Sequence, residues 1–400
     1  MSYKILNSHN MQEFLLNIPS IKNFFQDDKL IIKEIGDGNL NYVFLATSSK
    51  DSSKSLIIKQ AVPYLRCAGE EFALSRKRMT YEIRALKSYK SHVPKIYYSD
   101  EEMSIVIMQY LKDHIILRQG LIQRVYYPKF SEHISTFLAN TLFYSSSLYL
   151  DSTNKRKLMD RFNSNTQLCK LTEDFVFTFA FMPHKTNHVE DNLKDEANKL
   201  FNDIEFKTNV LKLKYIFMTQ ADALLHGDLH TGSIMINEKE TYIIDPEFAF
   251  IGPFGFDIGA LVANLLSSYI SHIFVTQDKK YQEWILQTIK EIYQKFEEKF
   301  LTLWNNTNES ALINPNFSYN QKFKQEFMKQ IFQQSIGFAG CKMTRRVFGI
   351  AGVEEIRGIK DPTIRKSASV LVLKIGTSLV NNYHNLHDID DLISFIKANS

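Results

Sequence analysis

The sequence predicts a bilobal α+β fold. A small antiparallel β-sheet lobe is expected over residues 1–110 and a larger, mainly helical lobe over 111–400. Three observations carry this. The chain has 400 residues, more than one ordinary hydrophobic core accommodates. Short apolar runs bounded by turn residues crowd the first part, as strands do. Beyond them, apolar residues recur at helical spacing over long segments, with no internal repeat or long linker between them.

The elements follow in order. Residues 30–35 read as a strand entering Gly36-Asp37-Gly38-Asn39-Leu40-Asn41, and residues 42–46 as the strand leaving it. Glycines at such a tip let backbone N–H groups approach an oxyanion closely. An ordinary hairpin turn explains the same two strands. Residues 55–60 form a strand with Lys59 near its end, and a helix is predicted from about residue 75 to residue 90. Met79, Ile83 and Leu86 fall on its buried face, and Glu82 lies beside them. Residues 93–98 and 104–108 are the last strands of this lobe. Gln109-Tyr110-Leu111 then connects to the helical lobe, whose amphipathic segments cover 134–150, 207–225, 259–273 and 281–304. Residues 305–319, rich in Asn, Ser and Pro, read as a surface loop.

Composition narrows the partners. At 44% hydrophobic and 23% charged residues the chain is an ordinary globular protein. A net charge of +4, spread rather than clustered, suits an anionic nucleotide and gives no case for nucleic-acid binding. Cys67, Cys169 and Cys341 have no metal-type spacing and cannot all pair, so a reduced, cytoplasmic setting is expected. The N-terminus lacks a signal-peptide apolar core, and runs such as 175–182 are too short for a membrane span, so no membrane partner is expected.

The chemistry concentrates in His226-Gly227-Asp228-Leu229-His230 and Ile244-Asp245-Pro246-Glu247. Asp228 and Asp245 lie 17 residues apart, at the ends of two short apolar strands. That is about the spacing of base and metal ligand in protein-kinase-like phosphotransferases. A His-Gly-Asp tripeptide alone recurs by chance, and buried Asp residues often only cap turns. Three acids converging on one hairpin mouth are harder to explain that way, because their repulsion calls for a cation. The pattern predicts a metal and phosphate site, with Asp228 standing in the place of the base and Asp245 in that of the metal ligand. Lys59 then falls where such a fold places its phosphate-binding lysine and Glu82 where that lysine is positioned, with Gln109, Tyr110 and Leu111 against adenine. A solvent-facing Lys and a solvated helix Glu are the plainer alternatives for the first two. Asp257, at a helix start, is expected to accept backbone N–H bonds and brace the catalytic loop.

A second polar cluster lies in Gly340-Cys341-Lys342-Met343-Thr344-Arg345-Arg346. Adjacent helical residues point about 100° apart, so both arginines cannot share one narrow solvent stripe. A buried Arg needs an anionic or hydroxyl-rich partner. Either a ligand or Glu354, Glu355 and Asp361 could supply it.

Together these residues resemble the 5-methylthioribose kinases. The likeness lies in residues 226–234, Asp245-Pro246-Glu247-Phe248, residues 255–259, the Arg345-Arg346 helix, and residues 63–70 and 114–122, and it runs from about Ile35 to Asp361. Relatives in the wider fold carry Asn five residues after the catalytic Asp and Asp at the start of the metal motif. Ser233 and the Asp-Pro-Glu motif here are features of methylthioribose kinases instead. Phe72 stands where that family commonly has tryptophan in the substrate-covering loop, which keeps an apolar face and loses an indole N–H. The resemblance implies phosphorylation of the anomeric hydroxyl of methylthioribose by ATP, in methionine salvage, by a homodimer. It implies ATP and Mg²⁺ as cofactors, Asp228 as catalytic base, Asp245 and Glu247 as Mg²⁺ ligands, Lys59 on the phosphates with Asp37, Gly38, Asn39 and Asn41 as the loop over them, and Asn41, Asp228, Arg345, Arg346 and Phe72 around the sugar. An aminoglycoside or choline kinase is the nearest rival, but those cationic substrates favour carboxylate-lined sites. A non-catalytic nucleotide-binding regulator would typically lack the base or a metal ligand.

Overall fold

The computed structural model describes residues 3–35, 40–65, 69–314, 317 and 321–400.

 Residues 65 and 69–72 are described by their backbone alone. Asp37, Gly38 and Asn39 of the predicted phosphate loop therefore lie outside the described residues, as does the side chain of Phe72.

Five strands make the main sheet: β1 (Leu30–Glu34), β2 (Asn41–Ser48), β3 (Ser55–Ala61), β6 (Ile96–Asp100) and β7 (Ile105–Gln109), with β4 (Tyr64–Leu65) and β5 (Gly69–Ala73) forming a separate hairpin. The order is β1-β2-β3-β7-β6 and every neighbouring pair is antiparallel. Side chains alternate across a strand, so β3 serves two cores. Leu56 and Ile58 face one way, into a cluster with Phe44, Ile105 and Ile107. That face is covered by α1 (Met11–Leu16) and α2 (Pro19–Phe25), through Met11, Phe14, Leu15, Ile18, Ile21 and Phe25. The sequence reading did not assign these two helices, although their apolar residues recur at helical spacing. Ile57 and Ala61 face the other way, with Val106 and Met108, onto Met79 and Ile83 of α3 (Lys77–Ser88). Lys59 shares the parity of Ile57 and Ala61, so strand period alone sends it toward α3. The predicted helix over 75–90 is this one.

The remainder is mainly helical. The chain passes through β8 (Ile115–Ile116) and α4 (Leu117–Ile122) into α5 (Phe130–Tyr144), α6 (Ser152–Asn163), α7 (Thr166–Phe177), α8 (Lys194–Asn202) and α9 (Ile204–Thr219). Two predicted helices stop early. Residues 134–150 end at Tyr144, where Ser145 and Ser146 turn their hydroxyls onto the preceding carbonyls of Thr141 and Phe143, which competes with helix continuation. Residues 207–225 end at Thr219, because Ala223–Leu224 (β9) extends to pair with Ile251–Gly252 (β12). The helix α6 was not read from the sequence; it is mostly polar, buries only Lys155 and Phe162, and starts on an Asp151 cap that accepts from Asn154 N–H at 2.9 Å.

Between β9 and β12 lies the hairpin of β10 (Ile234–Ile236) and β11 (Thr241–Ile243), to which β8 adds a third strand. The helices α10 (Gly255–Phe274), α11 (Lys279–Asn305), α12 (Gln321–Phe348), α13 (Glu354–Arg357), α14 (Pro362–Asn382) and α15 (Ile389–Asn399) complete the chain. Both α10 and α12 are buried around most of their circumference, and they cross closely: a Cβ on Gly259 would lie 2.5 Å from the Ser335 carbonyl oxygen. The architecture is the α+β one expected, an antiparallel sheet followed by a mainly helical body.

Candidate active site

The loop before β10 is built by its own side chains. Gly227 has φ +84°, and a Cβ there would meet the Phe248 carbonyl oxygen at 2.2 Å, so only glycine fits. The backbone N–H groups of His226 and Gly227 donate to the two carboxylate oxygens of Asp257 at 2.6 and 3.0 Å. This is the bracing expected of Asp257 at the start of α10. The His226 ring accepts from Asp228 N–H through Nδ1 at 3.2 Å and donates through Nε2 to the Ile244 carbonyl at 2.8 Å. One ring thus ties the loop carrying Asp228 to the residue before Asp245. His230 accepts from Gly232 N–H on Nδ1 at 2.9 Å, which leaves its Nε2–H facing Asp228 Oδ2 at 3.4 Å. Burial pushes His230 down to about 3, so it is neutral. The Ser233 hydroxyl accepts from His230 N–H at 3.0 Å and lies 3.1 and 2.8 Å from the carbonyls of Asp228 and His230. Ser233 therefore locks the loop.

Asp228 Oδ1 accepts from Lys342 Nζ at 3.0 Å, and about a quarter of the Asp228 side chain is exposed. Burial would raise its carboxyl, but the charges of Lys342, Arg346 and Arg345 outweigh it and hold the group well below the usual carboxylate range. Lys342 itself is fully inside α12, with Nζ 4.6 Å from the centre of the Phe256 ring. Burial pushes it down to about 8 against the attraction of Asp228. The sequence reading quoted Lys342 without assigning it a place here.

Asp245 sits in the left-handed region, φ 62° and ψ 43°, where a non-glycine residue costs about 1 kcal/mol or more. Pro246 follows at the first position of a short 3₁₀ turn. The twist aims Asp245 Oδ1 at Lys59 Nζ, 2.7 Å away, and Lys59 also donates to Glu82 at 2.9 Å. Lys59 and Glu82 are both buried, whereas half of the Asp245 side chain is exposed. Burial opposes the charge on Lys59, but Asp245, Glu82 and Glu247 together raise it above its ordinary value. Burial lifts Glu82, and Lys59 pulls it back. The solvent-facing readings of Lys59 and Glu82 do not describe this arrangement.

Glu247 is buried and accepts from Asn41 Nδ2 at 3.0 Å, with Arg78 Nε 3.6 Å away. Arg78 also donates to Asn41 Oδ1 at 3.1 Å, to the Leu40 carbonyl at 2.8 Å and to the Ser75 carbonyl at 2.9 Å. Asn41 and Arg78 therefore clamp the hairpin tip, α3 and Glu247 together. Arg78, among the largest fully buried side chains, was missed in the sequence because a charged residue in the first helical turn reads as solvated. Asp228, Asp245 and Glu247 each face a protein cation: Lys342, Lys59 and Arg78.

At the predicted hinge, Gln109 N–H donates to the Lys95 carbonyl at 2.9 Å, which commits that group to the protein. Leu111 is buried, and Gln109 and Tyr110 are half-buried.

Arg345 and Arg346 lie in the last turn of α12, both buried. Arg346 Nη1 donates to the Ala351 carbonyl at 3.1 Å, and among the described residues the Nε–H groups of both arginines have no acceptor. Among the described residues neither pairs with the acids considered from the sequence. Glu355 faces Arg118 Nε at 3.3 Å, and Asp361 caps α14 through Thr363 and Ile364 N–H. Arg118 was another residue missed; only its place beside the His226–Ser233 loop distinguishes it from a surface arginine.

Residues 31–284 match the phosphotransferase enzyme family. Methylthioribose kinase 1 of Oryza sativa subsp. japonica is 38% identical over 387 residues, covering 93% of this chain and 89% of its own. The methylthioribose kinase of Geobacillus sp. (strain WCH70) is 40% identical over 375 residues, covering 93% and 91%. Among solved structures, choline kinase from Cryptosporidium parvum is similar over 97% of this chain and 96% of its own, at 11% identity and a TM-score of 0.47.

Proposed function

This chain belongs to the methylthioribose kinases, within the phosphotransferase enzyme family, and on that premise we propose that it transfers the γ-phosphoryl group of ATP to the anomeric (C1) hydroxyl of S-methyl-5-thioribose. The product is S-methyl-5-thio-α-D-ribose 1-phosphate, in methionine salvage. One observation carries the choice of acceptor: two buried arginines with unpaired Nε–H groups beside a carboxylate already neutralised by Lys342. Such a site suits a neutral sugar acquiring a phosphate and repels the cations that choline and aminoglycoside kinases accept.

In this reading Asp228 accepts a hydrogen bond from the C1 hydroxyl and takes its proton late, since phosphoryl transfer has a loose transition state that asks mainly for alignment and charge neutralisation. Arg345 and Arg346 meet the sugar and the moving phosphoryl group, with Phe72 and Asn41 at the substrate side. Lys59, held by Glu82, would give its ammonium to the nucleotide phosphates beneath Asp37, Gly38 and Asn39. Gln109, Tyr110 and Leu111, at the boundary between a lobe over 1–110 and one over 111–400, would flank adenine. Asp245 and Glu247 fit Mg²⁺: two carboxylates on one short turn, the outer one half exposed, match a cation that takes few protein oxygens. When bound, the ion would offset the charge on the nucleotide phosphates.

Two further parts of the proposal concern assembly and setting. Ile204, Leu211, Tyr215 and Met218 form an exposed apolar stripe on α9, which supports association with a second copy as a homodimer. Cys169 and Cys341 are free, in keeping with a reducing cytoplasm, and no described helix is long and apolar enough to cross a membrane. Sedimentation of Leu211→Asp beside wild type tests the dimer face. The activity is tested by supplying ATP and Mg²⁺ with S-methyl-5-thioribose, choline or kanamycin and following phosphorylated product by ³¹P NMR. Product from the thiosugar alone is expected; product from choline or kanamycin instead, or from none, would overturn the reading.

A further inference from the structure

A buried lysine is costly unless its charge is used, because desolvation disfavours the ammonium. Lys342 is 2% exposed, and its partner is one carboxylate oxygen, Asp228 Oδ1, at 3.0 Å. The Phe256 ring covers it at 4.6 Å. It lies three and four residues before Arg345 and Arg346, so all three cations project from one face of α12. The contact treats the two oxygens of Asp228 differently. Oδ1 is taken by Lys342, while among the described residues Oδ2 has only the His230 Nε2–H at 3.4 Å, longer than an ordinary N–H···O bond.

From this asymmetry we infer that Lys342 is a positioning residue of the transfer, whose ammonium pins Oδ1 of Asp228 and so presents Oδ2 to the acceptor hydroxyl. The inference rests on Asp228 being the base. Stability does not account for the pair on its own, since replacing a buried ion pair with well-packed apolar groups is often neutral or better. A lysine there also faces repulsion from Arg345 and Arg346. Its contribution instead falls on the group that touches the substrate. The charged groups facing Asp228 are Lys342, Arg346 and Arg345, with the titratable but neutral His230 beside them, and Asp257 lies near Lys342 on the α10 side.

The test uses the full chain with Lys342→Met, Lys342→Arg, Asp228→Asn and the Lys342→Met/Asp228→Asn double variant. Methionine keeps an apolar stem against Phe256. We expect Lys342→Met to lower kcat by roughly a hundredfold, the scale for removing one charge-assisted contact at a reacting group, with KM for ATP changed less than twofold. Without the ammonium the Asp228 carboxyl rises, so the acid limb of the kcat–pH profile moves to higher pH. Lys342→Arg retains the charge and keeps that limb near its original place. If Lys342 acts through Asp228, the double variant is no slower than Asp228→Asn alone. An Asp228→Asn enzyme that crippled turnover beside a Lys342→Met enzyme with unchanged kcat and acid limb would overturn this inference alone. Wild-type turnover by Asp228→Asn would overturn the base assignment itself. Should Lys342→Met fail to fold, an acid limb displaced in Lys342→Gln and not in Lys342→Arg gives the same decision, and equal limbs in both refute the inference.

Discussion

Glu82 of α3 and Asp245 of the 3₁₀ turn share a single ammonium, that of Lys59, at 2.9 and 2.7 Å. The first contact is buried and the second is open on the Asp245 side. Removing the shared cation therefore has two separable effects.

Lys59→Met leaves the fully buried Glu82 without its counter-charge. A loss of about 3–5 kcal/mol in stability is expected, the cost of breaking a buried pair from one side. Burial already lifts the Glu82 carboxyl in the folded protein. In the variant its folded pKa stands further above the unfolded one, so the folded state binds the extra proton and the deficit should shrink as pH falls through that raised value. Denaturant melts of wild type and variant across mildly acidic pH measure this. A deficit that grows toward acid contradicts it.

Asp228→Asn should leave nucleotide binding nearly intact while turnover falls by several orders of magnitude, because size is kept and the proton acceptor is lost. Calorimetry with ATP and a steady-state assay report the two halves. A variant retaining a tenth or more of wild-type kcat removes Asp228 from the role of base.

Asp245→Asn and Glu247→Gln should each weaken the Mg²⁺-dependent part of ATP binding, since a hard cation loses an anionic ligand. They should differ in stability. Glu247→Gln also takes the charged partner from buried Arg78, so its melting temperature should fall. Titrations with and without Mg²⁺, together with melting curves, check both; unchanged metal dependence in the pair would exclude them as ligands.

Arg345→Lys and Arg346→Lys should each lose on the order of 2–4 kcal/mol in kcat/KM, because an ammonium cannot reproduce a planar set of donors. Folding should change little for Arg345→Lys. Arg346→Lys also gives up the bond to the Ala351 carbonyl and should melt slightly lower. Full activity with a large loss of stability would make the pair structural.

The acids and Lys59 were legible because their signal is local. A glycine-bearing tripeptide, paired short strands and an Asp-Pro-Glu turn are all read within a few residues, and strand period then sends Lys59 toward Glu82. Arg78, Arg118 and Lys342 were not legible in the same way. Each is a long cation on or beside a helix, a position that usually faces solvent, and only packing shows that they face Glu247, Glu355 and Asp228. The helices α1 and α2 carried a periodic signal at Met11, Phe14, Leu15 and Ile18 that was not weighed. The early ends of α5 and α9 depended on serine hydroxyls and a distant strand partner, neither of which a local window contains.

The double attachment of His226, to Asp228 N–H on one nitrogen and to the Ile244 carbonyl on the other, has a mechanical consequence. The imidazole is a rigid spacer, and its two bonds set the gap between the strand ends that carry Asp228 and Asp245. The tie from this pair to the main sheet's lysine, Asp245 to Lys59, lies on the open side. Drawing the sheet away from the helices would stretch that tie first and leave the spacer untouched. The two acids would then travel as one piece, their spacing kept by the ring between them.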